Sequence, residues 1–159
     1  MRSHLRNSPE AAARIVALVM IADGHVCRSE LDVLNQLQLE RELGLPVGGF
    51  AQVVQTLCED QLLSVYAGGP PAERIGEETL ASFMAEVDDS DLQRRVLRLA
   101  CAAAEADRHL ADAERVVLEA ALRHWGRFDA AGNRAVIAAV DPILATTMAA
   151  SQQPCPQAA

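Results

Sequence analysis

The chain has 159 residues, of which half are apolar and 23% are charged, so it can bury the core of one compact domain and is too apolar for global disorder. All 14 of its basic residues are arginine, which excludes a P-loop lysine, a Schiff base and a Ser-Lys nucleophile pair. A formal net charge of −8 and an aromatic content of 3% argue against nucleic-acid binding and against an anionic membrane surface.

The start of the sequence and its apolar runs bear on location. No apolar segment of the kind found in signal peptides follows Met1 and Arg2. The apolar run at 15–22 has eight residues, whereas a membrane-spanning helix needs about 20. We therefore expect a cytoplasmic protein without membrane insertion.

The cysteines indicate no disulfide framework. The four of them are scattered without a CxxC pair, and disulfides are rare in cytosolic proteins. Cys58 and Cys101 lie in apolar stretches with a helical pattern, and free cysteines are usually buried, so we expect both thiols to be in the core.

An all-α fold is predicted by the abundance of alanine and leucine and by the lack of alternating β-branched runs. Ser8 followed by Pro9 is a typical helix start, and Gly44 and Gly126 are typical residues just after a helix end. Signals of this kind divide the sequence into about seven helices. We predict them at about 9–22, 28–43, 49–63, 76–87, 91–106 and 112–125, with a last one that starts after Asp129 and breaks or kinks near Pro142.

A nine-residue sequence recurs 84 positions along the chain. Residues 22–30 read ADGHVCRSE and residues 106–114 read ADRHLADAE, and both copies join two predicted helices. We interpret the chain as two pseudo-symmetric helical-hairpin repeats with a shared core, at about 9–63 and about 91–148, joined by a connector helix at about 76–87. We expect residues 1–8 to be a flexible N-terminus and residues 149–159 a flexible tail.

The recurring turn brings carboxylates and imidazoles together, and two interpretations stay open. In the structural one, the aspartates accept N–H groups of the turn, and each glutamate reaches back from the third position of the next helix to the N-cap N–H. In the other, the two turns hold a divalent metal ion, for which these donor types suit zinc or manganese. The candidate metal ligands are Asp23, His25, Glu30, Asp107, His109 and Glu114.

The duplicated ADGHVCRSE and ADRHLADAE turns in a helical chain resemble the TerB-like family, which is named for bacterial tellurite resistance. The resemblance covers about residues 9–148. It implies a compact all-helical domain of two pseudo-symmetric halves with a role in tellurite, phage or other stress response. It also implies a metal-binding acidic cluster, which would comprise Asp23, Glu30, Asp107 and Glu114 here.

The first functional hypothesis is therefore a non-enzymatic TerB-like domain that serves in stress response and carries a candidate metal site. The alternatives are a small metal-dependent hydrolase that uses the same cluster, and a purely structural bundle that binds a protein partner or a second copy of itself. The geometry of the cluster distinguishes these hypotheses. A metal enzyme needs an open coordination position, whereas in a binding module the carboxylates can accept hydrogen bonds from backbone N–H groups. The cofactor is left open, with a divalent metal ion as the candidate.

Overall fold

The computed structural model of the protein describes residues 3–22, 24, 28–66, 76–106 and 111–126, and all the regular secondary structure within these ranges is α-helical. The helices are α1 (Pro9–Ile21), α2 (Arg28–Gln36), α3 (Leu39–Leu43), α4 (Gly49–Tyr66), α5 (Glu77–Ala85), α6 (Ser90–Glu105) and α7 (Asp112–Trp125). The predicted all-α fold is confirmed. Six of the seven predicted helices lie in the described residues, and the structure has seven helices there because the second predicted helix is divided into α2 and α3. The helix predicted after Asp129 lies outside the described residues.

The central helix of the bundle is α1. It packs mainly against α4, α6 and α7, and residues 11–21 are all buried. A helix with no exposed face must be apolar around its whole circumference, which is what its sequence provides apart from Arg14. Its predicted start is confirmed, since the Ser8 hydroxyl accepts a hydrogen bond from the Ala11 N–H at 3.1 Å.

The helices of the two predicted hairpins pack against one another. The first helices of the two hairpins, α1 and α6, pack against each other, while α2 packs against α6 and α7 packs against α1. Ile15 and Leu99, which lie 84 residues apart, are both buried in this shared core. At the other side, α5 packs against α7, where the Trp125 indole N–H donates to the Met84 carbonyl at 3.0 Å.

The prediction of one continuous helix over 28–43 is wrong. The chain breaks between α2 and α3 at Gln38, whose φ of 51° is left-handed and incompatible with a right-handed helix. In an unbroken helix Leu34 and Leu39 would point about 140° apart. The break allows both side chains to be buried, and α3 then ends at Gly44, with a φ of 81°, as predicted.

The helix ends around the repeated turn fall at the same offset of 84 residues. The residues that follow α1 and α6, Ala22 and Ala106, have nearly the same backbone conformation, with φ and ψ of −62° and −33° in one and −63° and −32° in the other. The next helices, α2 and α7, also begin 84 residues apart. This agreement is local, and the superposition of the two complete hairpins stays a prediction.

The segment before α1 is hydrogen-bonded to the turn between α5 and α6. Asn7 Oδ1 accepts from the N–H groups of Asp88 and Asp89 at 2.8 and 3.0 Å, and the Asn7 N–H donates to the Glu86 carbonyl at 2.7 Å. Part of the segment expected to be a flexible N-terminus thus makes specific contacts with the domain. The tail predicted at 149–159 lies outside the described residues.

The two cysteines that were expected to be buried differ. Cys101 is buried on α6, as predicted, and burial raises the pKa of its thiol to about 12. Cys58 is exposed, so its predicted burial is wrong. On α4 the core-facing residues are Val53 and Leu57, and the next position is rotated about 100° away from Leu57, toward solvent.

Among the described residues, the structure has no helix that combines the length and the apolar character needed to cross a membrane.

Candidate functional site

The two predicted ligands that the structure describes are Glu30 and Glu114, and both are buried, at 4% and 3% exposure. The other four, Asp23, His25, Asp107 and His109, lie outside the described residues. Within the described part of the chain, no group of three or more His, Cys, Asp or Glu side chains is arranged to hold a metal ion. The six-residue metal site therefore stays a prediction.

Glu114 closes the start of α7. It is the third residue of the helix, and its Oε2 accepts a hydrogen bond from the Ala111 N–H at 2.7 Å. This is the glutamate half of a capping box, and the carboxylate also lies at the positive end of the helix dipole. Because Ala111 has no side-chain oxygen, it cannot return the bond as a serine or threonine would, so Glu114 carries this cap.

Glu30 has the equivalent position in α2. It is the third residue of α2, as the sequence predicts, and it lies 84 positions before Glu114. Leu34 and Leu118, which lie four residues after the two glutamates on the same helices, are both buried. Helices α2 and α7 therefore carry the same residue types at the same helix positions, 84 residues apart.

The closed geometry limits what Glu114 can do chemically. A backbone N–H that donates to a buried carboxylate oxygen satisfies that oxygen within the fold. A catalytic metal needs ligands that leave a coordination position open to a cleft. The contact between Glu114 and Ala111 is the contact expected of a structural cap.

A second polar cluster, which the sequence did not predict, surrounds Arg14 of α1. Arg14 forms an ion pair with Glu86, and its guanidinium carbon lies 3.7 Å from the centroid of the Phe83 ring. Burial lowers the pKa of Arg14, while the charges of Glu86 and Asp60 raise it. An arginine remains protonated in such a setting, so the cluster fastens α1 to the end of α5. The available signal was a single charge inside a long apolar run.

His4 borders this cluster. Its backbone N–H donates to Glu86 Oε2 at 3.2 Å. Desolvation by burial, followed by the positive charge of Arg14, lowers the pKa of the imidazole, while Glu86 acts in the opposite direction. The neutral form of His4 is therefore favoured in the folded protein.

An apolar groove of about 940 Å³ lies between α2 and α4, with α3 and the 45–48 loop along it. Val47 and Leu31 stand on its edge with 99% and 37% of their surfaces exposed. No local pattern in the sequence indicates this groove, because its walls come from segments that the fold brings together. The groove is lined by Leu31, Leu34, Asn35, Gln38, Leu39, Glu40, Arg41, Leu45, Val47, Gly48, Phe50, Ala51, Val54 and Gln55.

Glu40 has a structural role at one end of the groove. Its Oε1 accepts a hydrogen bond from the Phe50 N–H at 3.1 Å, which satisfies one of the free N–H groups in the first turn of α4. The side chain therefore ties α3 to the start of α4 and fixes the shape of the groove there.

Comparisons of the chain with family models, with curated proteins and with solved structures find no match in any of the three.

Proposed function

We propose that the chain is a non-enzymatic TerB-like module of the stress-response type that acts by binding. In this proposal, the duplicated turns hold the two hairpins together. The observation that carries this proposal is the buried hydrogen bond from the Ala111 N–H to Glu114. It favours a module over a metal-dependent hydrolase, because a hydrolase would need this carboxylate at an open coordination site.

The resemblance to TerB-like proteins supports the stress-response part of the proposal. It rests on the ADGHVCRSE and ADRHLADAE turns, and the matching local geometry of Ala22 and Ala106 agrees with a duplicated hairpin. The all-helical fold agrees with it as well.

The alternative is that the same turns bind a divalent metal ion. The experiment must therefore distinguish a turn closed by hydrogen bonds from a turn that coordinates a metal. The untagged protein is purified without chelator, its metal content is measured, and its thermal unfolding is followed with zinc, manganese, calcium and magnesium. A cation that binds only the folded state adds about 2.7 kcal/mol of stability at a hundredfold excess over its Kd. We expect no bound metal and an unchanged Tm.

Two variants make this experiment decisive. The double variant Asp23→Asn, Asp107→Asn removes two candidate ligands with little change in size, and Glu78→Gln is the control, since Glu78 is exposed on α5. A rise in Tm with one cation that persists in the control and disappears in the double variant would assign the turns to a metal site and overturn the closed-turn proposal.

A further inference from the structure

The segment before α1 is held on the domain by hydrogen bonds and an ion pair. This N-terminal strap comprises residues 4–8, and its one large apolar side chain, Leu5, is 84% exposed. The residues Arg6 and Asn7 are exposed as well. Segments that bury little apolar surface open at a much lower free energy than the core does. The strap therefore has the features of a segment that opens while the bundle stays folded.

The contacts of the strap converge on the turn between α5 and α6. Arg6 forms an ion pair with Asp88 at 2.8 Å, and Asn7 is hydrogen-bonded to the backbone at 86, 88 and 89. Asn7 makes these bonds from a left-handed backbone conformation, with a φ of 58°, which is uncommon for residues other than glycine. Because a single four-residue turn receives all of these contacts, the loss of a few of them releases the whole strap.

Glu86 connects the strap to the buried ion pair. Its Oε2 accepts a hydrogen bond from the His4 backbone N–H at 3.2 Å, and the same oxygen binds the Arg14 guanidinium. Its backbone carbonyl accepts from the Asn7 N–H at 2.7 Å. The Glu86 side chain is 14% exposed in this arrangement. A change in the position of the strap therefore acts directly on the carboxylate that pairs with Arg14.

The His4 imidazole is the group of the strap that changes its charge near neutral pH. The residue is partly buried, and desolvation and the positive charge of Arg14 lower the imidazole pKa, although three acids act in the opposite direction. A proton therefore binds more readily when the strap is open and the imidazole is in water. The charged groups that face His4 are Arg14 and Glu10 of α1, Asp60 of α4, and Glu86 after α5.

We infer that the strap is a pH-sensitive latch on the Arg14–Glu86 ion pair, docked while His4 is neutral and opened locally when His4 is protonated. Opening gives water access to Glu86 Oε2 and removes the acceptor of the Asp88 and Asp89 N–H groups, while the described helices stay packed. This regulatory device goes beyond the proposed function and does not involve the repeated turns.

The test is amide exchange of the full chain, followed by NMR at pH 7.5 and 5.5 and corrected for the intrinsic effect of pH on exchange. The Asn7, Asp88 and Asp89 N–H groups report on the strap. The indole N–H of Trp125, which donates to the Met84 carbonyl, reports on the packed bundle.

The size of the effect has an upper limit. One proton on an imidazole with the ordinary pKa of 6.5 changes the opening equilibrium by at most about tenfold between these pH values. We expect the protection of the three strap amides to fall by about three- to tenfold at pH 5.5, with the exchange of the Trp125 indole N–H unaffected.

Three variants assign the response to the strap. His4→Gln removes the titrating group and keeps a polar side chain, so it should leave the strap docked and abolish the pH response. The matched control is His124→Gln, since His124 is exposed on α7, and it should keep the response of the wild type. Asn7→Ala removes the Oδ1 acceptor and should expose the Asp88 and Asp89 amides at both pH values.

Two kinds of result would overturn the inference. The first is protection of the strap amides that is equal at both pH values, or that falls as much in His4→Gln as in the wild type. The second is loss of the Trp125 indole protection in step with the strap amides, which would show that acid opens the whole bundle. Neither result affects the cation experiment, so failure of this inference is distinguishable from failure of the proposed function.

Discussion

Arg14 of α1 and Glu86, the residue after α5, form an ion pair inside the bundle, with only 4% and 14% of their side chains exposed. The Phe83 ring covers the guanidinium, and Asp60 of α4 adds a further negative charge nearby. Three helices therefore meet at one buried cation. Since a buried charge is costly when it loses its partner, this pair makes the end of α5 depend on α1.

Removal of the carboxylate from this pair should strongly destabilise the fold. Glu86→Ala removes the carboxylate that forms the buried ion pair with Arg14, and we expect a loss of about 3 kcal/mol in the free energy of unfolding. Urea denaturation measures it. The control is Arg98→Met, at the position 84 residues after Arg14. It breaks an exposed ion pair with Glu42 and should lower the free energy of unfolding by less than about 1 kcal/mol. Similar losses in the two variants would contradict the role of burial.

The neutral form of His4 should contribute to stability in a pH-dependent way. Burial and Arg14 lower the imidazole pKa from 6.5, so below about pH 6.5 the unfolded chain binds the proton more readily than the folded one. Stability attributable to His4 is thus present above pH 6.5 and falls as the pH falls through 6.5 toward the folded value. The facing charges are Arg14, Glu86, Glu10 and Asp60.

NMR titration of the His4 ring checks the direction of this shift, and thermal melts of His4→Gln check its consequence. As the pH is lowered from 7 to below 6.5, we expect the Tm to fall less in His4→Gln than in the wild type. A His4 pKa at or above 6.5, or parallel pH profiles of the two proteins, would refute the prediction.

The glutamates at the start of α2 and α7 should each stabilise their helices. Loss of a cap typically costs about 0.5–2 kcal/mol, so Glu30→Ala and Glu114→Ala should each lower the free energy of unfolding by an amount in that range. Denaturant unfolding is the measurement, and Glu78→Ala, an exposed glutamate of α5, is the control. Unchanged stability in both single variants would exclude the capping role.

The two described cysteines should react at very different rates. Cys58 is exposed, whereas burial raises the pKa of Cys101 to about 12, and the thiolate is the reactive form. With iodoacetamide at pH 8, peptide-level mass spectrometry should show modification of Cys58 in the folded protein and of Cys101 only after denaturant is added. Prompt labelling of Cys101 in the native protein would show that α6 is less well packed than the structure indicates.

Local signals in the sequence predicted most of the fold. Ser8, Gly44 and the repeated turn mark helix ends that the structure confirms, because capping depends on neighbouring residues alone. The break at Gln38 was not predictable, since the helical pattern continues through it and only tertiary packing of Leu39 favours the break.

The functional surface was harder to predict than the helices. The spacing of the repeat placed Glu30 and Glu114 at the third helical position, which the structure confirms. The partner of Arg14 lies 72 residues away in the sequence, so no local pattern identifies it. The groove likewise depends on how α2, α3 and α4 are placed in the packed bundle, since all three line it.

The most direct test of the closed turn is the exchange rate of the Ala111 amide, measured by NMR in the wild type and in Glu114→Ala, with and without divalent cations. The bond to Glu114 Oε2 predicts a protected amide in the metal-free wild type, unchanged by any of the cations and exposed in the variant. An amide that is unprotected in the metal-free protein and becomes protected only when a cation is added would contradict the closed turn and favour a metal site.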